Sequence, residues 1–138
     1  MSKREQILAR IVTTLAGTSG VGSRIYRSRV EPLARGESPA IIVEPISDAC
    51  EQDTLGTLMW TMQVRVATIV RGNVPDQLAD PALIDIHSKL MTDTTLNGYV
   101  IDILPTTVSF ENIEADQPTG VVSAEFAVKY RTTLGSIS

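Results

Sequence analysis

Apolar and polar residues alternate along the segment 58–70, which reads LMWTMQVRVATIV. In an extended chain the apolar residues share one side: Trp60, Met62, Val64, Val66 and Val70. Period-two alternation rich in β-branched residues, without Gly or Pro, is typical of a strand with one buried face. At roughly 3.3 Å per residue this strand reaches about 43 Å, so we expect it to extend beyond the core of a small domain.

A second long segment, 121–134, shows the same alternation. Its apolar positions are Val122, Ala124, Phe126, Val128 and Tyr130. Because the two apolar rows match in length, we predict that the two strands pair antiparallel and that helices cover their shared apolar face.

Two helices are predicted from apolar residues at helical spacing. The first covers 3–16, where Ser2 and Glu5 form a capping box and Gly17 follows the last turn. The second begins with Asp80 as N-cap and Pro81 as the first helical residue, after a turn that 76–79 can add in front. Its apolar positions are Leu83, Ile84, Ile86, Leu90 and Met91, and 92–98 closes it with Asn97-Gly98 at positive φ.

The remaining segments are predicted as short strands and loops. The strands are a short one at 24–30, a central one at 40–44, and one at 99–108 that Pro105 places at a sheet edge or a bulge. The loops are a glycine-rich turn at 17–23, a loop at 32–39, a mobile acidic loop at 45–57 and a second acidic loop at 110–119.

The predicted architecture is one α+β domain spanning 1–138, with a mostly antiparallel sheet, two long strands and two helices packed on one face. The net charge of −4 gives no electrostatic reason to expect direct binding to nucleic acid. Cys50 is the only cysteine, so no internal disulfide can form. Residues 1–10 are too polar for a signal peptide and no apolar run could cross a bilayer, so we expect a cytoplasmic protein or one released by lysis.

Chemistry-bearing residues are sparse. His87 is the only histidine, and no nucleophile motif surrounds it. A chain with one Cys and one His lacks the clustered ligands that a zinc site needs. The turn GTSGVG at 17–22 follows a helix, whereas a phosphate-binding loop follows a strand. We therefore expect no catalytic, metal or cofactor site.

Three charged features are candidate interaction surfaces. The basic segment has Arg24, Arg27, Arg29 and Arg35. The two acidic loops have Asp48, Glu51, Asp53, Glu111, Glu114 and Asp116. The polar face of the sheet has Arg65, Glu125, Lys129 and Arg131. Each also has an ordinary interpretation, because charged edges deter unwanted strand pairing and solvated loops are commonly acidic.

The order of several short patterns resembles a family of long-tailed bacteriophage proteins. After an N-terminal helix come SPAIIV at 38–43, Trp60 near the start of a long strand, LIDI at 83–86, TLNGYV at 95–100 and FAVKYRT at 126–132. This arrangement is similar to that of the tail terminators, also called minor tail protein U or tail completion proteins, and it covers nearly the whole chain.

The resemblance implies a structural, non-enzymatic protein of a phage or prophage, located in the virion tail and in the host cytoplasm during assembly. Tail terminators form a hexameric ring that caps the tail tube, stops its polymerisation and offers a surface to the head–tail connector protein. The implied partners are further copies, the tail tube protein and the connector, with DNA passing through the ring only as cargo.

A head-to-tail ring needs two different complementary patches on each subunit. The basic segment 24–35 and an acidic segment, 48–53 or 111–116, are the candidate pair. Two alternatives stay open at this point: another head–tail joining protein of the neck, or a small-ligand-binding α+β domain with a concave apolar pocket.

Overall fold

The computed structural model describes residues 1–28, 39–113 and 119–137, of which 53, 54 and 113 are described by their backbone alone. These residues form an α+β fold, as predicted. The helices are α1 (Lys3–Leu15) and α2 (Pro75–Thr92); the strands are β1 (Ile25–Arg27), β2 (Ala40–Thr54), β3 (Thr57–Arg71), β4 (Asp102–Ile113) and β5 (Thr119–Thr133).

The strands form one sheet of five in the order β1-β2-β3-β5-β4. β1 runs parallel to β2, and every other neighbouring pair is antiparallel. The predicted pairing of the two long strands is confirmed, since Trp60 lies opposite Tyr130 and Val64 lies opposite Phe126.

Both helices pack on the same face of this sheet, which we call the helix-bearing face. Ile7 and Ile11 of α1 and Ile86 and Leu90 of α2 are buried in one cluster with the even-numbered residues of β3 and β5. No helix in the described residues covers the opposite face, which we call the bare face. The period-two alternation of the long strands therefore divides a core face from a polar one.

Helix α1 forms where the sequence predicts it. The Ser2 hydroxyl accepts a hydrogen bond from the Glu5 amide, and Gly17 follows the helix with φ of 83°. Lys89 of α2 donates to the carbonyl oxygen of Ala16 at 2.7 Å, so α2 supplies a partner for the last turn of α1. The turn after α1 is tied to α2 as well, because Ser19 donates to the Asp85 carboxylate.

Helix α2 begins earlier than predicted. Its first residue is Pro75 with Val74 as N-cap, so the expectation that Asp80 caps the helix and Pro81 starts it is wrong. Pro81 lies inside the helix, where it cannot donate to a preceding carbonyl. Ala79 packs with Val70 and Val122, and this burial holds the first turns in helical form. Of the predicted apolar positions, Ile84 is 61% exposed.

The expected mobile loop at 45–57 is a strand and a tight hairpin instead. β2 continues to Thr54 and pairs with β3 along nearly its whole length, with Gly56 at φ of 84° in the turn. A bulge between Pro45 and Ser47 absorbs the proline that suggested a strand end. The second half of β2 is largely exposed and contains acidic residues. It therefore lacks the apolar–polar alternation from which the other strands were predicted.

The second acidic loop, predicted at 110–119, is wrong at both ends, because β4 extends to Ile113 and β5 begins at Thr119. The middle of the predicted loop, 114–118, lies outside the described residues. The prediction for Pro105 is confirmed: β4 is an edge strand of the described sheet and has a bulge between Pro105 and Thr107. The strand predicted at 24–30 is β1, and its last two positions lie outside the described residues, as does most of the loop predicted at 32–39.

Among the described residues there is no helix with the length and apolarity that spanning a membrane requires.

Gly120 provides a test of how closely α2 sits on the sheet. A Cβ atom at this position would lie 2.2 Å from Cβ of Pro75, so alanine forces the start of α2 away from β5. We expect Gly120→Ala to lower the free energy of unfolding by about 1–3 kcal/mol, measured by urea unfolding. Gly135→Ala is the matched control, because nothing lies within 4 Å of its added Cβ. Equal stability of the two variants would contradict the described packing.

Candidate interaction surfaces

The two described arginines of the basic segment are held by their own chain. Arg24 donates to the carbonyl oxygens of Pro39 and Gly20, at 2.8 and 2.7 Å. Arg27 donates from both terminal nitrogens to the Glu5 carboxylate, at 3.2 and 2.8 Å. Arg29 and Arg35 lie outside the described residues. Among the described residues no carboxylate pairs with Arg24, whereas Arg27 is in an ion pair with Glu5.

Among the described acidic candidates, Asp48 makes the most contacts within its own chain. Its side chain is only 10% exposed, and Oδ2 accepts a hydrogen bond from Arg4 Nε at 2.8 Å and another from the Tyr130 hydroxyl. The prediction placed Asp48 in a loop, but β2 carries it on the helix-bearing face, opposite Met62. Asp48 thus connects α1 to β5 and is poorly available to a partner.

Trp60 and Tyr130 extend this network. Their rings stack with centroids 6.2 Å apart, and the Arg4 guanidinium lies 5.9 Å from the centroid of the Trp60 ring. The Trp60 indole nitrogen donates to the Thr132 hydroxyl at 2.8 Å. Burial, together with the hydrogen bond to Asp48, raises the pKa of Tyr130 well above its ordinary value. The cluster stabilises the end of the sheet where β2, β3 and β5 extend past β4.

The other acidic candidates differ in position. Glu51 is exposed on β2 near the hairpin, and the side chain of Asp53 is not described. Glu111 is exposed on the edge strand β4 and has no hydrogen-bond or ion-pair partner in the described part of the chain. Glu114 and Asp116 lie outside the described residues. The two acidic segments are therefore far apart in the sheet order: the first lies near the β2–β3 hairpin, and the second begins on the edge strand β4.

An apolar groove between α2 and β4 is a feature that the sequence analysis missed. The groove has a volume of about 530 Å³ and is open to solvent. Ile84 and Leu83 line it on the helix side, and Pro105 and Val108 line it on the strand side. We call this feature the α2–β4 groove.

The groove exists because α2 does not extend over the edge strand. Val108 and Phe110 pair with the buried residues Ala124 and Val122, so both lie on the helix-bearing face. They are nevertheless 51% and 66% exposed. Apolar side chains clustered on a free strand edge commonly mark a binding surface or an aggregation hazard. In the sequence, one polar residue separates the apolar residues Val108 and Phe110, which is the alternation typical of a strand. This signal could have revealed the apolar edge, but the prediction ended the strand at Val108.

The bare face of the sheet is polar at its centre. Arg65 donates to Glu44 at 3.1 Å on one neighbouring strand and lies opposite Glu125 on the other. These alternating charges compensate one another across three strands. This face can therefore remain in water, or meet a hydrated neighbour, without a buried unpaired charge.

His87 and Ser88 lie exposed at the helix side of the α2–β4 groove, whereas the side chain of Glu125 belongs to the bare face. No hydrogen bond joins the side chains of His87 and Ser88 in the part of the chain that the structure describes. Within that part there is also no group of three His, Cys, Asp or Glu residues that could hold a metal ion. The groove thus offers apolar contact area rather than a preorganised set of reactive groups.

The described residues form a five-stranded sheet with helices on one face and with β1 and β4 as edge strands, and they contain no hydrogen-bonded set of catalytic groups. No family model and no curated protein sequence matches the chain. A search of solved structures finds similarity to a chain from the virion of a native gene transfer agent particle, at 11% identity and a TM-score of 0.51. The match covers 95% of this chain and 92% of that one, so the two share a fold over nearly their whole length.

The Tyr130–Asp48 hydrogen bond predicts how stability responds to alkaline pH. Because the folded state raises the pKa of Tyr130, folding favours the neutral phenol, and this contribution is lost as pH rises above the unfolded value of about 10. We expect thermal denaturation to show a steeper loss of stability above about pH 10 in the wild type than in Tyr130→Phe. Tyr99→Phe is the control and should keep the steep loss. Identical profiles for wild type and Tyr130→Phe would contradict the network.

Proposed function

We propose that this chain is a tail terminator of a phage or phage-like particle: a structural protein whose copies form a hexameric ring on the head-proximal end of the tail tube. The ring stops tube polymerisation and presents a surface to the head–tail connector protein. The observation that supports this most directly is the whole-length similarity of fold to a chain from a gene transfer agent virion. The order of sequence patterns that resembles the terminator family supports the more specific role.

The geometry of the subunit suits a ring in two respects. Its sheet has an exposed edge strand, β4, lined by apolar side chains, which a monomeric protein would ordinarily cover. Its sheet order also leaves a different strand, β1, at the other side. Two unlike edges on one subunit are what a head-to-tail ring requires.

Tube capping gives the direct test. We expect the purified protein, added to growing tail tubes, to stop elongation and to appear in electron micrographs as a ring at one tube end, the head-proximal one. The control is the same tube preparation without the protein, which should keep elongating. Attachment elsewhere on the particle, or continued elongation with the ring bound, would contradict the terminator role.

A neighbouring role in the same particle remains the first alternative. Another head–tail joining protein of the neck would share the fold and the ring, but it would bind the connector and leave tube elongation unchanged. The tube-growth experiment therefore separates the two roles.

The α2–β4 groove favours a second alternative from a different class, a small-ligand-binding domain. Its volume of about 530 Å³ lies within the range of ligand pockets. However, it is open, and the polar side chains at its border make no hydrogen bonds to one another among the described residues. Covering by protein is therefore the better explanation of its apolar surface.

Arg27 tests whether the basic segment acts between subunits or only within one. Arg27→Glu removes an ion pair with the half-exposed Glu5 that contributes about 1 kcal/mol or less to stability, and it also places two carboxylates side by side. Circular dichroism and thermal denaturation therefore have to show first that the variant folds. We expect the variant to fail to form rings even at low salt, measured by light scattering and negative-stain imaging. The swap Glu5→Arg with Arg27→Glu restores the pair within the chain and should not restore rings. Rings in the single variant, or full rescue by the swap, would contradict an intersubunit role.

A further inference from the structure

The two edge strands, β1 and β4, lie at the same position along the strand direction of the sheet. The register links Arg27 to Val43, Val66, Ala124 and Val108 in successive strands, and it links Ile25 to Phe110 in the same way. The exposed segment 108–111 of β4 is therefore level with β1 across the sheet. In the described residues, β1 pairs with β2 alone and β4 pairs with β5 alone.

The two edges also have opposite strand directions. β1 is parallel to β2, and three antiparallel pairings lead from β2 to β4. β4 therefore runs antiparallel to β1. If a second copy continued the sheet in the same orientation, its β1 would meet β4 as an antiparallel neighbour, the slightly more stable of the two pairings.

Charge distinguishes the two edges. The segment 3–27, which includes α1 and β1, contains five basic residues and one acidic residue. The segment 75–113, which includes α2 and β4, contains six acidic residues and one lysine. Some of these charges pair within the chain, but Asp76, Asp80 and Glu111 are exposed and have no partner in the described structure. Asp76 lies beside Phe110, and Glu111 follows Phe110 on β4, so these two acidic groups border the apolar surface of β4.

From this complementarity we infer that the β4 edge and the α2–β4 groove bind the β1 flank of a second copy of this chain, where the β1 flank means α1, the 16–24 turn and β1. The second copy's β1 lies antiparallel against 108–111, its Arg24 approaches Glu111, and its Arg27 lies level with Val108. The inference deepens the proposed function and rests on its ring, but not on the tube as partner.

The same charges disfavour the other segment that a second copy could offer. The β2–β3 hairpin projects from the sheet with Leu55 96% exposed at its tip, but it carries Glu51 and follows Asp48. Placing this acidic hairpin beside Asp76 and Glu111 would juxtapose like charges without compensation. As the acidic partner of a basic flank, Glu111 is thus favoured over the segment 48–53, where Asp48 is already bonded to Arg4 and Tyr130.

A complementation experiment with two defective variants tests this inference. The groove variant, Ile84→Asp with Phe110→Asp, changes two exposed side chains and keeps the β1 flank. The flank variant, Arg24→Glu with Arg27→Gln, keeps the groove and avoids a like-charge contact with Glu5. Circular dichroism and thermal denaturation check that both variants fold. The readout is mass by light scattering or analytical ultracentrifugation over a concentration series.

We expect the wild type to assemble with rising concentration and each variant to need roughly tenfold more protein or to remain monomeric. An equimolar mixture should form dimers and nothing larger, because it contains one intact groove and one intact flank per pair. Leu55→Asp, which changes an exposed apolar residue away from the groove, should assemble like the wild type.

Three results would overturn the inference: a wild type that is monomeric at every concentration, a groove variant that assembles like the wild type, or a mixture that remains monomeric. None of these measurements uses tail tubes. If the mixture dimerises but the wild type does not cap tubes, the docking surface stands and the proposed terminator function fails.

Discussion

The antiparallel ladder of β2, β3 and β5 is the constraint on which the rest of the structure depends. Its period-two alternation puts Met62, Val64, Phe126 and Val128 on one face, and both helices have to cover that face. The ladder extends further than the helices do. The end near the hairpin therefore needs its own stabilisation, which the cluster of Arg4, Asp48, Trp60 and Tyr130 supplies.

Sequence patterning predicted the parts of the fold in which burial and periodicity coincide. Strands β3 and β5, their pairing, helix α1 and the edge position of Pro105 followed from apolar spacing and from caps. The distal half of β2 could not be predicted because most of its described side chains are exposed and three of its residues are acidic, and only pairing with β3 makes it a strand. The start of α2 was missed because burial of Ala79 outweighs the cost of Pro81, a tertiary effect that local signals do not carry.

The candidate surfaces were predicted less well than the fold. Charge runs identified Arg24, Arg27 and Glu111 as candidates, but they could not show that Arg27 is paired with Glu5 or that Asp48 is nearly buried. The α2–β4 groove arises because a helix stops short of an edge strand, which is a property of packing rather than of any one segment. The sequence shows that these side chains are apolar, but only the structure shows that they are exposed, and the exposure is what marks the groove as a candidate binding surface.

Together these features describe a subunit with one face covered by helices, one polar face and two different edge strands. We propose that other copies of the chain bind at those edge strands. Hydrogen–deuterium exchange of the protein below and above its assembly concentration tests this most directly. The account predicts that backbone amides of β1 and of 107–111 in β4 become protected on assembly, whereas those of the β2–β3 hairpin do not. Assembly with unchanged exchange along β4, or with protection confined to the hairpin, would contradict it.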